Sequence, residues 1–170
     1  MNRQYTISAR GKAAAMPIQM FMRRHFADIP VAQIDSFFGF TTDRSTLYGG
    51  RIYGGTELSA YDLKSMYGMG IGLRLPLTNH DASPEEYAAN VPMLEKHHRP
   101  GNSIIVTNDN LARWIRRDFP GYRLEASVIK NIDSLAKIEK AAGIYDSIIL
   151  PMSANEDEAF LASIGNKAQI

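Results

Sequence analysis

The chain has 170 residues, 45% of them apolar and 22% charged, which is the composition of a globular protein with a sizeable core. A formal net charge of +1 gives no indication of nucleic-acid binding or of attraction to a membrane surface. Because the chain contains no cysteine, disulfides, thiolate metal sites and an iron–sulfur cluster within these residues are excluded.

The first 30 residues are predicted to form an N-terminal helical arm. Within them "MPIQMFMRRHFADI" (16–29) favours a helix, with Ile18, Phe21 and Phe26 near one side. The segment is basic but lacks the apolar core of a signal peptide. No run in the chain reaches the ~18 apolar residues that span a bilayer. The sequence therefore predicts a cytoplasmic protein with no membrane partner.

From residue 31 onward, short apolar runs alternate with capped amphipathic segments. The helix starts have Ser59 with Asp62, Ser83 with Glu86, and Asn108 as predicted caps. Strand alternating with helix indicates a parallel sheet, and we expect one α/β domain over residues 31–170. The predicted strands are "VAQIDSFFGF" (31–40), "GLRLPLTNH" (72–80), "NSIIVTND" (102–109), "RLEASVI" (123–129) and "DSIILPM" (146–152), with "KAQI" (167–170) as the opening of a sixth.

This order of elements predicts a partial (β/α) TIM-like barrel of about five to six strands. A complete barrel takes ~250 residues, so the domain is either an open sheet that stops at five strands or a barrel truncated at its C-terminal end. A barrel fragment exposes an unpaired strand edge, which invites pairing with another chain. We therefore expect a homo-oligomer, or contact with the remainder of a barrel.

Charged residues interrupt three of the apolar strands at alternate positions. Alternation turns one set of side chains toward the helices and the other set toward the barrel interior. Asp35, Arg74 and Glu125 are then predicted to share the interior face, as either a structural ion-pair network or the floor of a ligand site. The helix-facing set is Ile34, Leu73, Leu75, Leu77, Leu124, Ala126 and Val128, and Thr78 and Ser127 are expected to point inward.

Polar residues follow several strands at the edge where parallel α/β folds bind ligands. These candidates are Asn79, His80, Asn108, Asp109, Ser127 and Lys130. His80 is a possible general base or metal ligand, or a solvated loop histidine. Metal-dependent hydrolysis at His80 with Asp109 or Glu125 is a further alternative, although no metal site is assigned.

The segment "YGGRIYGG" (48–55) follows the first predicted strand and matches neither a dinucleotide fingerprint nor a P-loop. Gly49 and Gly50 would let the backbone approach a ligand or adopt positive φ. Tyr48 could stack on a planar ligand, and Arg51 could hold a carboxylate or phosphate. The alternative is a long loop with flexible corners.

Together, "LYGGR", "SAYDL", "GIGLRLPLTNH", "NSIIVTND", "LEASVIKNID" and "YDSIILPMSANED" resemble the N-terminal part of the collagenase-like peptidase family, group U-thirty-two. The resemblance implies a TIM-like barrel and a peptidase-like or hydroxylase-like activity. Relatives act on transfer RNA, ribosomal RNA or ubiquinone precursors, and bind an iron–sulfur cluster through cysteines downstream of the matched region. It also implies that Tyr48, Gly49, Gly50, Asn79, Ser127 and Lys130 line a pocket; no catalytic residue is assigned.

Two functional hypotheses follow. In the first, the chain is the front segment of such a barrel enzyme and is not catalytically complete by itself, with its cofactor unidentified. In the second, it is a non-enzymatic α/β module that binds a small anionic molecule near Arg51 and Arg74, or a protein partner along a free sheet edge.

Overall fold

Strands and helices alternate through the chain. The computed structural model describes residues 5–50, 54–165 and 169–170. Within them the strands are β1 (Tyr5–Ser8), β2 (Ile34–Phe38), β3 (Gly72–Leu77), β4 (Ser103–Val106), β5 (Arg123–Ala126) and β6 (Ser147–Ile148). The α-helices are α1 (Ile18–His25), α2 (Ala60–Gly68), α3 (Pro84–His97), α4 (Asp109–Asp118), α5 (Leu135–Ala142) and α6 (Glu158–Ser163).

The six described strands form one parallel sheet in the order β1-β2-β3-β4-β5-β6, and the sheet curls into a half-barrel. Every neighbouring pair follows directly along the chain, as in a (β/α) barrel. The predicted partial TIM-like barrel of five to six strands is therefore confirmed.

The N-terminal segment differs from the expected arm. Its helix is present as α1, but residues 5–8 form strand β1, which pairs with β2 inside the sheet. The predicted first strand is therefore the second. β1 gives a weak sequence signal because Ile7 is its one buried residue. The expected last strand, "KAQI", falls largely on residues outside the described ranges.

The helix starts follow the predicted capping chemistry. Ser59 accepts a hydrogen bond from the Asp62 amide while the Asp62 carboxylate accepts one from the Ser59 amide, and Ser83 and Glu86 repeat this box. Asn108 caps α4 through the Leu111 amide. None of the helices in the described ranges has the length and apolar character that a membrane span requires.

The core lies between the outer face of the sheet and the helices. Leu73, Leu75 and Leu77 are at most 1% exposed, and Leu124 and Ala126 are fully buried beside them. The predicted alternation of β3 and β5 is confirmed at these positions. It fails at Val128, which is exposed because β5 ends at Ala126 and the chain enters a 3-10 turn there.

A buried ion pair joins the segment after β1 to the start of α2. The Lys12 ammonium lies 3.3 Å from an Asp62 carboxylate oxygen, and both side chains are almost fully buried. Lys12 also donates to the carbonyls of Ala13 and Met16, while Asp62 accepts from the amide of Ile18. Both charges therefore have a complete set of partners, which is the condition for keeping them inside a protein.

Candidate functional site

The concave face of the half-barrel carries a layer of polar side chains at one level of neighbouring strands. In β3, β4 and β5 the register places Arg74 beside Ser103 and Ser103 beside Arg123. Glu125 lies two residues further along β5, beside Ser147 of β6. All of these side chains project from the face opposite the buried leucines, as strand alternation requires.

Arg74 and Glu125 meet across this face. An Arg74 terminal nitrogen donates to Glu125 Oε2, with the intervening strand β4 between them. The Glu125 side chain is 7% exposed and that of Arg74 is 21% exposed. An arginine within a strand is stable here because a carboxylate neutralises it, as the sequence predicts for these two residues.

The pair leaves the Nε–H of the guanidinium without an acceptor among the described residues. Arg74 Nε is buried and has no hydrogen-bond partner among the described residues. A buried donor without an acceptor costs about 1–3 kcal/mol, and more when the group is charged. In the described part of the chain this is the one buried side-chain nitrogen or oxygen in that condition, which singles out the concave face.

A cavity of about 250 Å³ lies on this face, and Arg74 is one of the residues that line it. Its charged lining is Asp35, Arg74, Arg123 and Glu125, and the hydroxyl-bearing side chains are those of Thr6, Ser36 and Ser147. The predicted grouping of Asp35, Arg74 and Glu125 on one face therefore describes this cavity. Asp35 forms no ion pair with Arg74 within the described ranges, so the ion-pair network is smaller than expected.

Asp35 reaches the cavity through an irregularity in β2. Tyr5 is opposite Ile34 but Thr6 is opposite Ser36, so Asp35 is an extra residue in the β1–β2 register. A bulge of this kind redirects a side chain and is frequent beside functional sites. Ile34 still packs in the core as predicted, and alternation resumes with the buried Phe37.

The ends of β4 and β5 hold a second charged cluster. Lys130 Nζ lies 2.7 Å from Asp109 Oδ1 and 2.8 Å from the Thr107 carbonyl oxygen, and the Tyr145 hydroxyl donates to Asp109 Oδ1 at 2.8 Å. Burial would raise the pKa of Asp109, but hydrogen bonds from Lys130 and Tyr145 outweigh it and hold the pKa below 3.8. Burial and then the neighbouring carboxylate raise the pKa of Tyr145. Each of these groups already has a protein partner.

The polar residues that end β3 and β4 hold the strand ends together. The Asn108 amide donates to the His80 carbonyl oxygen, and the Asn79 amide donates to the Thr46 carbonyl oxygen and to Glu86. The His80 side chain is exposed. Ser127 caps the turn after β5 by accepting from the Ile129 amide. These contacts fix backbone positions and bring Asn79, His80 and Asn108 to one edge of the sheet.

The glycine-rich loop borders an open cleft with Asn79 and His80. The cleft has a volume of about 1670 Å³ and includes Gly49 and Gly50. Gly49 has φ of 71°, and a Cβ there would lie 2.9 Å from the Thr78 carbonyl oxygen, so only glycine fits this approach. The predicted anion ligand Arg51 lies outside the described ranges.

Tyr48 has its place in the core and does not line the cleft. Its side chain is 1% exposed, and its hydroxyl lies 3.2 Å from Thr41 Oγ1. Thr41 donates in turn to Asp43, whose other contacts are Lys96 and the buried His97. This chain of hydrogen bonds fastens the loop after β2 to the end of α3. Stacking of Tyr48 on a ligand would require this packing to open.

Sequence reasoning missed the polar side chains of the concave cavity at Thr6, Ser36, Arg123 and Ser147. Arg123 and Ser147 each open a strand, where a polar residue is as typical of the preceding turn as of the sheet. Their alternation with the buried Leu124 and Ile148 is the signal that could have found them. No group of three metal-ligating side chains occurs in the described ranges, and His80, Asp109 and Glu125 are not brought together as one cluster.

Comparison with known proteins gives no relative: no family model, no curated protein and no solved structure matches the chain. The resemblance to the collagenase-like peptidase family therefore stays a prediction from the sequence motifs.

Proposed function

We propose that this half-barrel is a binding module for a small carboxylate-bearing molecule, which it holds on its concave face at Arg74. The observation that carries the proposal is the buried Nε of Arg74, which has no acceptor among the described residues. A ligand oxygen would give this Nε–H an acceptor. Charge-assisted hydrogen bonds of this type are among the stronger polar contacts in proteins.

Size and charge favour a carboxylate over a larger or more highly charged anion. The cavity of about 250 Å³ is smaller than the roughly 300–1,000 Å³ of sites for drug-sized ligands. Its two arginines, Arg74 and Arg123, are balanced by Asp35 and Glu125. The Asp35 and Glu125 carboxylates would repel a phosphate dianion. A ligand with a single carboxylate carries less negative charge and needs only one free donor.

The proposal is tested by titrating the protein with sodium butyrate, against sodium chloride at equal ionic strength, while backbone amide NMR signals are recorded. We expect saturable shifts at residues around the cavity. Arg74→Lys keeps the charge beside Glu125 but lacks the Nε–H, and should weaken binding at least about tenfold, since one hydrogen bond to a charged group is lost. Arg113→Lys, on the exposed face of α4, is the matched control and should bind as the wild type does.

Butyrate shifts that persist unchanged in Arg74→Lys would contradict the proposal. So would the absence of saturable shifts in the wild type. The amide spectrum of each variant also reports whether it is folded, so loss of binding is separable from loss of structure.

The half-barrel shape favours a second candidate, a segment of a larger barrel as the resemblance to the collagenase-like family implies. In the described part of the chain β1 and β6 each have one hydrogen-bonded neighbour, so the sheet can be extended at either edge. A second copy of the chain or the remainder of a barrel would supply the added strands, and a cytoplasmic location remains part of this prediction. Light scattering tests it: a dilute, stable monomer argues against self-pairing.

A further inference from the structure

We infer that the ligand is an amino carboxylate, whose carboxylate binds Arg74 and whose ammonium group binds Asp35. This inference rests on the proposed function, because it takes the carboxylate position at Arg74 as given. What it adds is the second charge of the ligand and the residue that recognises it.

Some of the charged side chains that line the cavity have no ion-pair partner in the described part of the protein and could bind a charged ligand. Of its four charged side chains, Arg74 and Glu125 neutralise one another. In the described ranges neither Asp35 nor Arg123 forms an ion pair with another residue. The cavity therefore offers the unpaired Asp35 carboxylate and the unpaired Arg123 guanidinium, in addition to the Nε–H of Arg74. A zwitterion complements that set, because its ammonium group can pair with the exposed Asp35 carboxylate, which a simple anion cannot do.

The bulge in β2 is the independent observation that points to Asp35. Regular alternation from Phe37 would turn residue 35 toward the helices, where an aspartate would be buried among apolar side chains. The extra residue in the register instead delivers its carboxylate to the concave cavity, beside Ser36. A bulge interrupts the hydrogen-bond ladder locally, so its presence beside the free donor favours a role for Asp35 in the site.

The spacing of the two residues sets the length of the ligand. Asp35 and Arg74 lie on adjacent strands, and Ser36 is opposite Gly72, so they are offset by about three residues along the strands. With ~3.3 Å per residue and ~4.8 Å between strands, the Cα atoms are about 11 Å apart. A hydrogen bond of about 2.8 Å at each end of the ligand takes up part of that distance. The remaining gap suits an amine and a carboxylate separated by a few methylene groups.

The test compares γ-aminobutyrate with butyrate, which has the same chain and lacks the amine. An exposed ion pair is worth a modest factor, so we expect γ-aminobutyrate to bind about threefold to fivefold more tightly. Asp35→Asn should remove that preference and leave butyrate binding unchanged. Asp28→Asn, another exposed aspartate and one outside the cavity, should keep the preference.

The outcomes separate the two proposals. If butyrate and γ-aminobutyrate bind equally well to the wild type, or if the preference survives in Asp35→Asn, the amino carboxylate is wrong while the carboxylate site stands. If neither compound binds, the carboxylate site at Arg74 is itself wrong. n-Butylammonium alone should not bind detectably, and saturable binding of it at the cavity would overturn the assignment of Arg74 as the main contact.

Discussion

Two ion pairs in the described part of the chain, Lys12–Asp62 and Arg74–Glu125, differ in how completely their hydrogen bonds are formed. Lys12 and Asp62 have side-chain exposures of 0% and 3%, and both are surrounded by protein donors and acceptors. Arg74 and Glu125 have exposures of 21% and 7%, and Arg74 Nε has no acceptor in the described ranges. The first pair lies between chain segments, whereas the second lies beside a cavity.

The difference separates a structural contact from a candidate binding site. Polar groups that proteins bury for stability are almost always fully hydrogen-bonded, because an unmade bond inside the protein is costly. The Lys12–Asp62 pair satisfies this rule through the Met16 carbonyl oxygen, the Ile18 amide and the Ser59 cap of α2. The Arg74–Glu125 pair departs from it at one atom, Arg74 Nε, and Arg74 is a residue that lines a cavity. We therefore expect the two pairs to respond differently to mutation and to ligand.

The largest expected change in the free energy of unfolding comes from breaking the fully hydrogen-bonded Lys12–Asp62 pair. Asp62→Ala leaves the Lys12 ammonium buried beside carbonyl oxygens alone and removes the N-terminal box of α2. We expect the free energy of unfolding to fall by about 3–5 kcal/mol, as for other broken buried pairs. Urea denaturation followed by circular dichroism measures the change.

Asp133→Ala is the matched control for that change. Asp133 pairs with Lys137 one helical turn away, and both side chains are about half exposed. Its loss should cost no more than about 0.5 kcal/mol. A similar cost for both variants would show that the Lys12–Asp62 pair is not the structural contact described.

Breaking the Arg74–Glu125 pair should change the free energy of unfolding by less. Arg74→Leu leaves Glu125 buried without its cation, but the cavity admits solvent to the carboxylate, so we expect a loss of about 1–3 kcal/mol in unfolding free energy. The double variant Arg74→Leu with Glu125→Leu should recover most of it, because no uncompensated charge remains. Denaturation of both single variants and the double variant gives the coupling energy. Strictly additive losses would contradict the pairing.

Lowering the pH should weaken the Lys12–Asp62 pair, because the Asp62 carboxylate becomes protonated. Burial would raise the pKa of Asp62, but the Ser59 and Ile18 amides, the Ser59 hydroxyl and Lys12 together hold it below 3.8. A carboxylate with a lowered folded pKa contributes stability that is fully present above its unfolded value and is lost as the pH falls through its folded value.

We therefore expect the unfolding free energy to decline below about pH 4, as Asp62, Asp43 and Asp109, all with a lowered pKa, take up protons. Urea midpoints measured from neutral to acid pH give the slope. In Asp62→Asn the unfolding free energy should depend less steeply on pH in the acid range than it does in the wild type. An unchanged slope in that variant would mean that the pKa of Asp62 is not lowered by folding.

The strand pattern predicts the parts of the fold and site that depend on alternation. Arg74 and Glu125 stand out because each interrupts an apolar run at an inward position, and their pairing follows from the cost of a buried charge. Strand β1 could not be predicted because it has one buried residue in four. Alternation predicts that Asp35 faces the interior, but in the structure a bulge between β1 and β2 places it there. The register between two strands is not specified by the sequence of one strand alone.

The glycine-rich loop shows where sequence reasoning stops. Gly49 does mark a close approach, but the partner is the backbone of Thr78 and Asn79. Tyr48 lies in the core because the loop after β2 folds back along α3, a path fixed by contacts such as Asp43 with His97. Composition reveals the freedom of such a loop, and tertiary packing decides its route.

The most direct test is the NMR signal of the Arg74 Nε–H itself, assigned by its disappearance in Arg74→Lys. Butyrate titration should move this signal along a saturable curve, while the Nε–H signal of Arg113 moves no more than with sodium chloride. An Arg74 signal that stays in place while the ligand reaches saturating concentrations would contradict the account, because the free donor would then have no role in binding.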